Sequence, residues 1–374
     1  MIRKLFCVLS AALLLCVCLG ACAKQEEPSQ TDALVTETSS AEKTESTQAE
    51  ETTAKEEESA SKEIKGNLNL LTGHYDLSDE AVGKRPVVIT VNNVEASMPQ
   101  YGIETADIIF EIPVETGLTR MLAVYADLYA IPNVCSVRSY RYYFAPVALT
   151  YDAIYIHWGE DPSMLDYLYS LNMTRYDGIS DTWLFGRDEE RLAQRYNVEH
   201  TSVFYGPLLA QRLESDGART DLDEAHNVTA FNFVPDGQEI IPDGQDCTAV
   251  DIEYGSVGSG LCYLENEGKY YKTQNGKEQI EGSNGNVLKF DNIFLLNTDI
   301  ALRNVEQRIS VNWNGGEGYT GYYISKGKAQ PITWSKADEW SPFIFLDAQG
   351  NILNVNTGKS YITFVKESMY TLGS

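Results

Sequence analysis

Histidine is scarce, with four in 374 residues. None stands at the spacing that metal ligands need, so the sequence predicts no zinc site. There is no P-loop, no H-E-x-x-H and no G-x-S-x-G, which removes three common catalytic fingerprints. Gly316-Glu317-Gly318-Tyr319-Thr320-Gly321 satisfies G-x-G-x-x-G by letter only. Tyr322-Tyr323-Ile324 after it reads as strand where a dinucleotide site requires a helix, so no cofactor is expected. Basic residues are in deficit, 29 against 54 acidic. From Gly66 onward the chain holds 42 acids and 22 bases, a net charge of −20. Such a body is unsuited to nucleic acid or an anionic bilayer surface unless a basic site is built locally. Long apolar runs are limited to one, Leu5 to Leu19, which is short for a membrane span.

That run follows Arg3 and Lys4 and ends in Leu19-Gly20-Ala21-Cys22. A charged start, an apolar stretch and small residues at a cut site make a secretory signal over residues 1–21. The cysteine just after the small residues resembles the bacterial lipoprotein signal. The resemblance implies that Cys22 carries a thioether-linked lipid, and that the rest of the chain lies on the extracytoplasmic face of the cell membrane. Residues 22–65 are rich in Glu, Thr, Ser, Ala, Gln and Lys and contain no aromatic residue. They have too little apolar surface to offset the entropy of ordering and read as a disordered, acidic tether.

Cysteine outside the signal is also sparse. Beyond Cys22 there are Cys135, Cys247 and Cys262, an odd number that permits one bridge at most. Cys247 and Cys262 flank one hairpin and are the pair able to join; buried free thiols are the alternative. Tyrosine is abundant, 23 in all, which suits a sheet-rich body.

The body divides by pattern. In residues 66–228, strands are predicted at Pro86 to Asn93, Asp107 to Pro113, Thr119 to Tyr129 and Tyr151 to His157. Helices are predicted at Pro146 to Tyr151, after Asp161-Pro162-Ser163, over Asp188 to Tyr196, and from His200 to a stop at Gly217. In residues 229–374 helical patterns almost vanish. Short strands follow at turn-rich spacing, with Asn275-Gly276 and Gln349-Gly350 at hairpin positions. The predicted class is α+β: an N-terminal mixed α/β domain followed by a β-rich C-terminal domain.

Chemistry gathers in one part of the first domain. Glu111, Glu115 and Arg120 join two strands, Arg138 and Arg141 follow three apart, and His157 ends a strand. At a helix start, Arg138 and Arg141 would both face one anion, helped by unpaired backbone N–H groups. The alternative is a Glu–Arg network that only pins loops to the sheet. Arg120, Arg138 and Arg141 are therefore the candidate ligand-binding residues, with Glu111 and Glu115 orienting them. A hydrolase or transferase using Glu111 or Glu115 with His157 is a second reading, and a scaffold docking a membrane protein is a third. The expected partners are the membrane through Cys22 and an anionic envelope component or a membrane protein.

RPVVITVNN, ADIIFEIPVETGLTRMLAVY, VRSYRYYFAPVA and YIHWGEDP, with YYKTQNGKEQIEG, TWSKADEWSPFIFLDAQGNI and NTGKSYITFV later, resemble the YerB-like putative lipoproteins from about residue 72 to 366. The resemblance implies two domains with no assigned function. This chain departs from that pattern at Cys135-Ser136, where Gly-Pro is usual. It departs again at Gln279 and Glu281, where a His-x-Asp pair is usual, and at Tyr361, in place of Trp.

Overall fold

Runs such as Val87-Val-Ile-Thr-Val-Asn92 and Ile108-Ile-Phe-Glu-Ile-Pro113 do not alternate; every residue in both is buried. Strands of this kind belong in a sheet covered on both faces, and the computed structural model places them there. It describes residues 66–115, 117–303 and 308–374. The signal, Cys22 and the acidic tether lie outside the described residues.

The main sheet has eleven strands. In chain order they are β1 (Val87–Asn92), β2 (Ile108–Pro113), β3 (Thr119–Tyr125), β4 (Ile154–His157), β5 (Arg175–Asp177), β6 (Gln245–Asp246), β7 (Asn292–Asn297), β8 (Gly315–Ser325), β9 (Lys328–Ser335), β10 (Ile344–Leu346) and β11 (Ser360–Val365). Their spatial order is β6-β9-β8-β7-β11-β2-β3-β1-β4-β5, with β10 also on β9. The centre of the sheet is a junction. β11 lies between β7 and β2, parallel to both, with Ile108 opposite Ser360 and Glu111 opposite Thr363. The mixed N-terminal region and the β-rich C-terminal region are thus halves of one sheet.

A second, antiparallel sheet covers one face, running Lys277–Glu278, Lys269–Gln274, Gly258–Leu264, Ala249–Glu253, Tyr370–Gly373. Val250, Ile252, Leu261 and Tyr270 from it share a core with Val91, Ile109, Met121 and Ile293. On the opposite face, Phe110, Leu122, Phe294 and Phe343 pack with helix α1 (Ala145–Thr150). The remaining helices are short: α2 (Leu165–Ser170), α3 (Glu189–Ala193) and α4 (Leu209–Asp216). Asp188 caps α3 by accepting the Arg191 N–H. Gly217 ends α4 in the left-handed region at φ 61°. Where a helix was expected from His200, the chain first forms a strand, Ser202–Tyr205, and turns helical only at Leu209.

The regions also touch through glycine. Gly117 (φ +83°) bridges Gly255, and a Cβ on Gly255 would lie 2.8 Å from the Gly117 Cα. Neither position has space for a side chain. Cys135, Cys247 and Cys262 are free thiols. Burial pushes the Cys247 thiol up to about 12 and Cys135 to about 11, so neither has thiolate character.

Candidate functional site

Glu115 sits in the tight connection between β2 and β3, where Leu118 N–H donates to its carbonyl at 3.1 Å. Arg120 is the second residue of β3. Arg138 to Arg141 run past the end of β1, held by Arg138 N–H to Thr90 O (2.9 Å) and Tyr140 N–H to Gly159 O (2.9 Å). This segment is extended, not the expected helix start. Arg141 has φ −129° and ψ 144° and precedes a 3-10 turn, Tyr142–Phe144. The arginines therefore converge from β3 and this extended segment, not from the start of an α-helix.

Arg141 Nη2 donates to Glu115 Oε1, and Arg120 Nη2 lies 3.7 Å from the same oxygen. Arg120 Nη1 donates to Ser139 O at 2.5 Å, and Arg141 Nη1 to Tyr140 O at 3.0 Å. Arg138 pairs with Glu199 at 3.1 Å on the outer side. The Nε groups of Arg138 and Arg141 are buried and have no partner among the described residues. Two guanidinium groups, those of Arg120 and Arg141, therefore meet one inner carboxylate, and Arg138 lies beside them on Glu199. Burial first, then the neighbouring Arg141, pulls Arg120 down to about 9, with Arg138 adding to the repulsion and Glu115 opposing it.

Glu111 does not join this cluster. It points to the other face of the sheet and is fully buried at the junction. Its Oε2 lies 3.0 Å from Lys272 Nζ, also fully buried, and accepts from Tyr361 Oη at 2.8 Å. Its Oε1 accepts from Asn93 Nδ2 and Thr119 Oγ1, each at 2.9 Å. Ser259 Oγ donates to Glu111 at 2.8 Å and accepts from Lys272 Nζ at 3.0 Å. Sequence reasoning missed Lys272. Its signal was the alternation Tyr270, Lys272, Gln274, the inward parity of that strand.

His157 is also buried. Its Nδ1 donates to Gly159 O at 2.9 Å, which leaves Nε2 to accept from Arg175 Nη1 at 3.2 Å. Among the described residues, ligand-type atoms of His157, Glu160 and Asp177 lie within 4.8 Å of one another. Arg175 already supplies a positive charge there, 3.1 Å from Glu160 Oε2. Burial, opposed by Asp177, depresses the His157 pKa to about 4. Between pH 6.5 and 4 the unfolded chain takes up a proton that the folded chain refuses. Stability therefore falls with decreasing pH across that window, by roughly 1.4 kcal/mol per unit at its steepest. In denaturant titrations at pH 7 and pH 5, His157→Gln is expected to lose less stability on acidification than the parent. An equal loss in both would show that His157 does not titrate in this way.

Gln279 and Glu281, which stand where the family pattern has a His-x-Asp pair, make structural contacts. Gln279 Nε2 bonds Asn93 Oδ1 at 3.0 Å and Gln100 Oε1 at 3.2 Å. Glu281, 2% exposed, receives the backbone N–H groups of Gly102 (2.8 Å), Ile103 (3.0 Å) and Glu104 (3.1 Å). A carboxylate from the second region thereby fills a three-donor anion nest in the first.

Residues 71–219 match the N-terminal domain, and residues 250–362 the C-terminal domain, of a protein family of unknown function, DUF3048. The protein named "Putative lipoprotein YerB" of Bacillus subtilis (strain 168) is 25% identical over 277 residues, which are 70% of this chain and 78% of that one. The crystal structure of the YerB protein from Bacillus subtilis has the same fold. The TM-score is 0.69 at 21% identity, covering 82% of this chain and 99% of that chain.

Proposed function

This chain belongs to the YerB-like family, and on that premise we propose that it is a lipid-anchored, extracytoplasmic binding protein that accepts an anion on Arg120, Arg138 and Arg141. The lipid is expected on Cys22, in keeping with the lipoprotein name of its relative. Among the described residues no helix is long and apolar enough to cross a membrane.

One observation carries the anion reading. Arg120 and Arg141 converge on the single inner carboxylate of Glu115 with Arg138 close by, and the buried Nε–H groups of Arg138 and Arg141 lack partners among the described residues. Burying guanidinium groups beside one another with N–H donors unpaired is costly, and a bound anion would relieve it. Arginine suits phosphate or carboxylate because its planar fork donates two parallel hydrogen bonds.

The hydrolytic reading has less support. Glu111 is saturated by four side chains besides Lys272, and His157 is a locked neutral tautomer whose two nitrogens are both engaged.

Thermal melts of the full chain in detergent, with and without inorganic phosphate at constant ionic strength, test the proposal. Phosphate should raise the Tm of the parent. Arg138→Lys should keep the fold and lose most of that increment, since lysine keeps the charge but not the fork. Cys22→Ala should move the protein from the membrane fraction to the soluble one. A parent Tm indifferent to phosphate, with sharp drops in Arg138→Lys and Arg141→Lys, would identify the arginines as a purely structural network.

A further inference from the structure

A second site lies at the β5 edge of the main sheet. Beyond β5 the chain turns through Gly178 to Trp183 beside a polar cleft of about 500 Å³, within the range of small-molecule sites. Arg175, Asp177, Asp181 and Arg212 line it. The lining carries two positive and two negative charges, and Glu160 and Asp216 add carboxylates against Arg175 and Arg212, so the cleft does not draw anions by charge. Its polar groups are held in place. Arg212 Nε donates to Asp181 Oδ2 at 3.0 Å, and Arg212 Nη1 donates to Asp216. Asp181 Oδ1 accepts the N–H groups of Trp183 (2.9 Å) and Leu184 (3.0 Å).

The Arg212 guanidinium lies 5.6 Å from the Tyr176 ring and 5.4 Å from the Trp183 ring. That contact props the Trp183 indole at the rim, where it is 38% exposed. Asp177 spends Oδ1 on the N–H groups of Gly159 (2.7 Å) and Ile179 (2.9 Å), and its Oδ2 has no hydrogen-bond partner among the described residues. The cleft thus offers an aromatic face beside a carboxylate oxygen and guanidinium N–H groups, with each arginine already matched by a carboxylate. A pyranose ring matches this combination. Its C–H face lies against an aromatic ring, and its hydroxyls both donate and accept. A peptide matches less well, because β5 is three residues long and too short an edge to pair with an added strand.

We propose that this cleft binds a neutral oligosaccharide, with one pyranose ring stacked on Trp183 and its hydroxyls bonded to Asp177 and Arg175. The site is separate from the Arg120–Arg138–Arg141 cluster and does not rest on the anion reading.

Saturation-transfer difference NMR with chitotriose on the full chain in detergent tests it. Transfer to the ring protons is expected. Trp183→Ala should reduce it by about fivefold or more, the size of one lost aromatic contact, and Trp183→Phe should restore part of it. Arg138→Lys should leave it unchanged, which separates this site from the anion cluster. Because Trp183 is a rim residue, the variants are expected to melt like the parent. Absence of transfer to both chitotriose and cellotriose would overturn the proposal. So would transfer undiminished in Trp183→Ala, or transfer to trialanine in place of the sugars.

Discussion

Lys272→Ala is expected to lower the unfolding free energy by about 3–5 kcal/mol, because it leaves the Glu111 carboxylate charged and buried without its counter-ion. Urea titration measures this as a drop in midpoint at unchanged slope. Both side chains are fully buried, so the lost partner is not replaced by bulk solvent. Glu111→Ala should cost a similar amount, since it strands Lys272 instead. The double variant Glu111→Gln/Lys272→Met keeps the volume and removes both charges. It should recover most of the loss, because desolvating a buried pair offsets much of its attraction. A double variant no more stable than either single one would mean that the cost lies in packing rather than in charge.

Glu281→Ala is expected to cost about 2–4 kcal/mol, since it removes one carboxylate from three backbone donors at Gly102, Ile103 and Glu104. Glu281→Gln keeps the shape and the acceptor oxygen but loses the charge, and should cost about half as much. Faster amide hydrogen exchange at Gly102–Glu104 in the alanine variant would locate the damage in the nest. Unchanged protection there would show that the nest holds without the carboxylate.

Much of the fold was legible in the sequence, because its strands and turns use local signals. β1, β2, β3 and β11 were all readable as apolar runs, and Asn275-Gly276 turns with φ 48° and 74° as its dipeptide predicts. The insertion of β11 between β2 and β7 was not legible. Pairing partners as far apart in the chain as Ile108 and Ser360 leave no trace in local periodicity. The grouping of Arg120, Arg141 and Glu115 was anticipated, but its cause was misread. A three-residue spacing suggested one helix face, whereas an extended segment delivers the arginines beside β3. Glu111 was grouped with Glu115 because both flank the junction of two strands. Glu111 lies within β2 and faces the covering sheet with Ile109, whereas Glu115 lies beyond the end of β2 at Pro113, in the turn, where strand alternation no longer sets the face.

The seating of β11 also bears on how the chain is made. Until Ser360–Val365 arrives, β2 has one edge with no strand to close it, and the first 350 residues cannot complete their own sheet. Closure of the main sheet is therefore tied to the segment that carries β11. Truncation before β11 should yield an aggregation-prone collapsed chain with an open sheet edge, not a smaller working protein. β11 thus acts as a check that the two halves of the sheet have both been made.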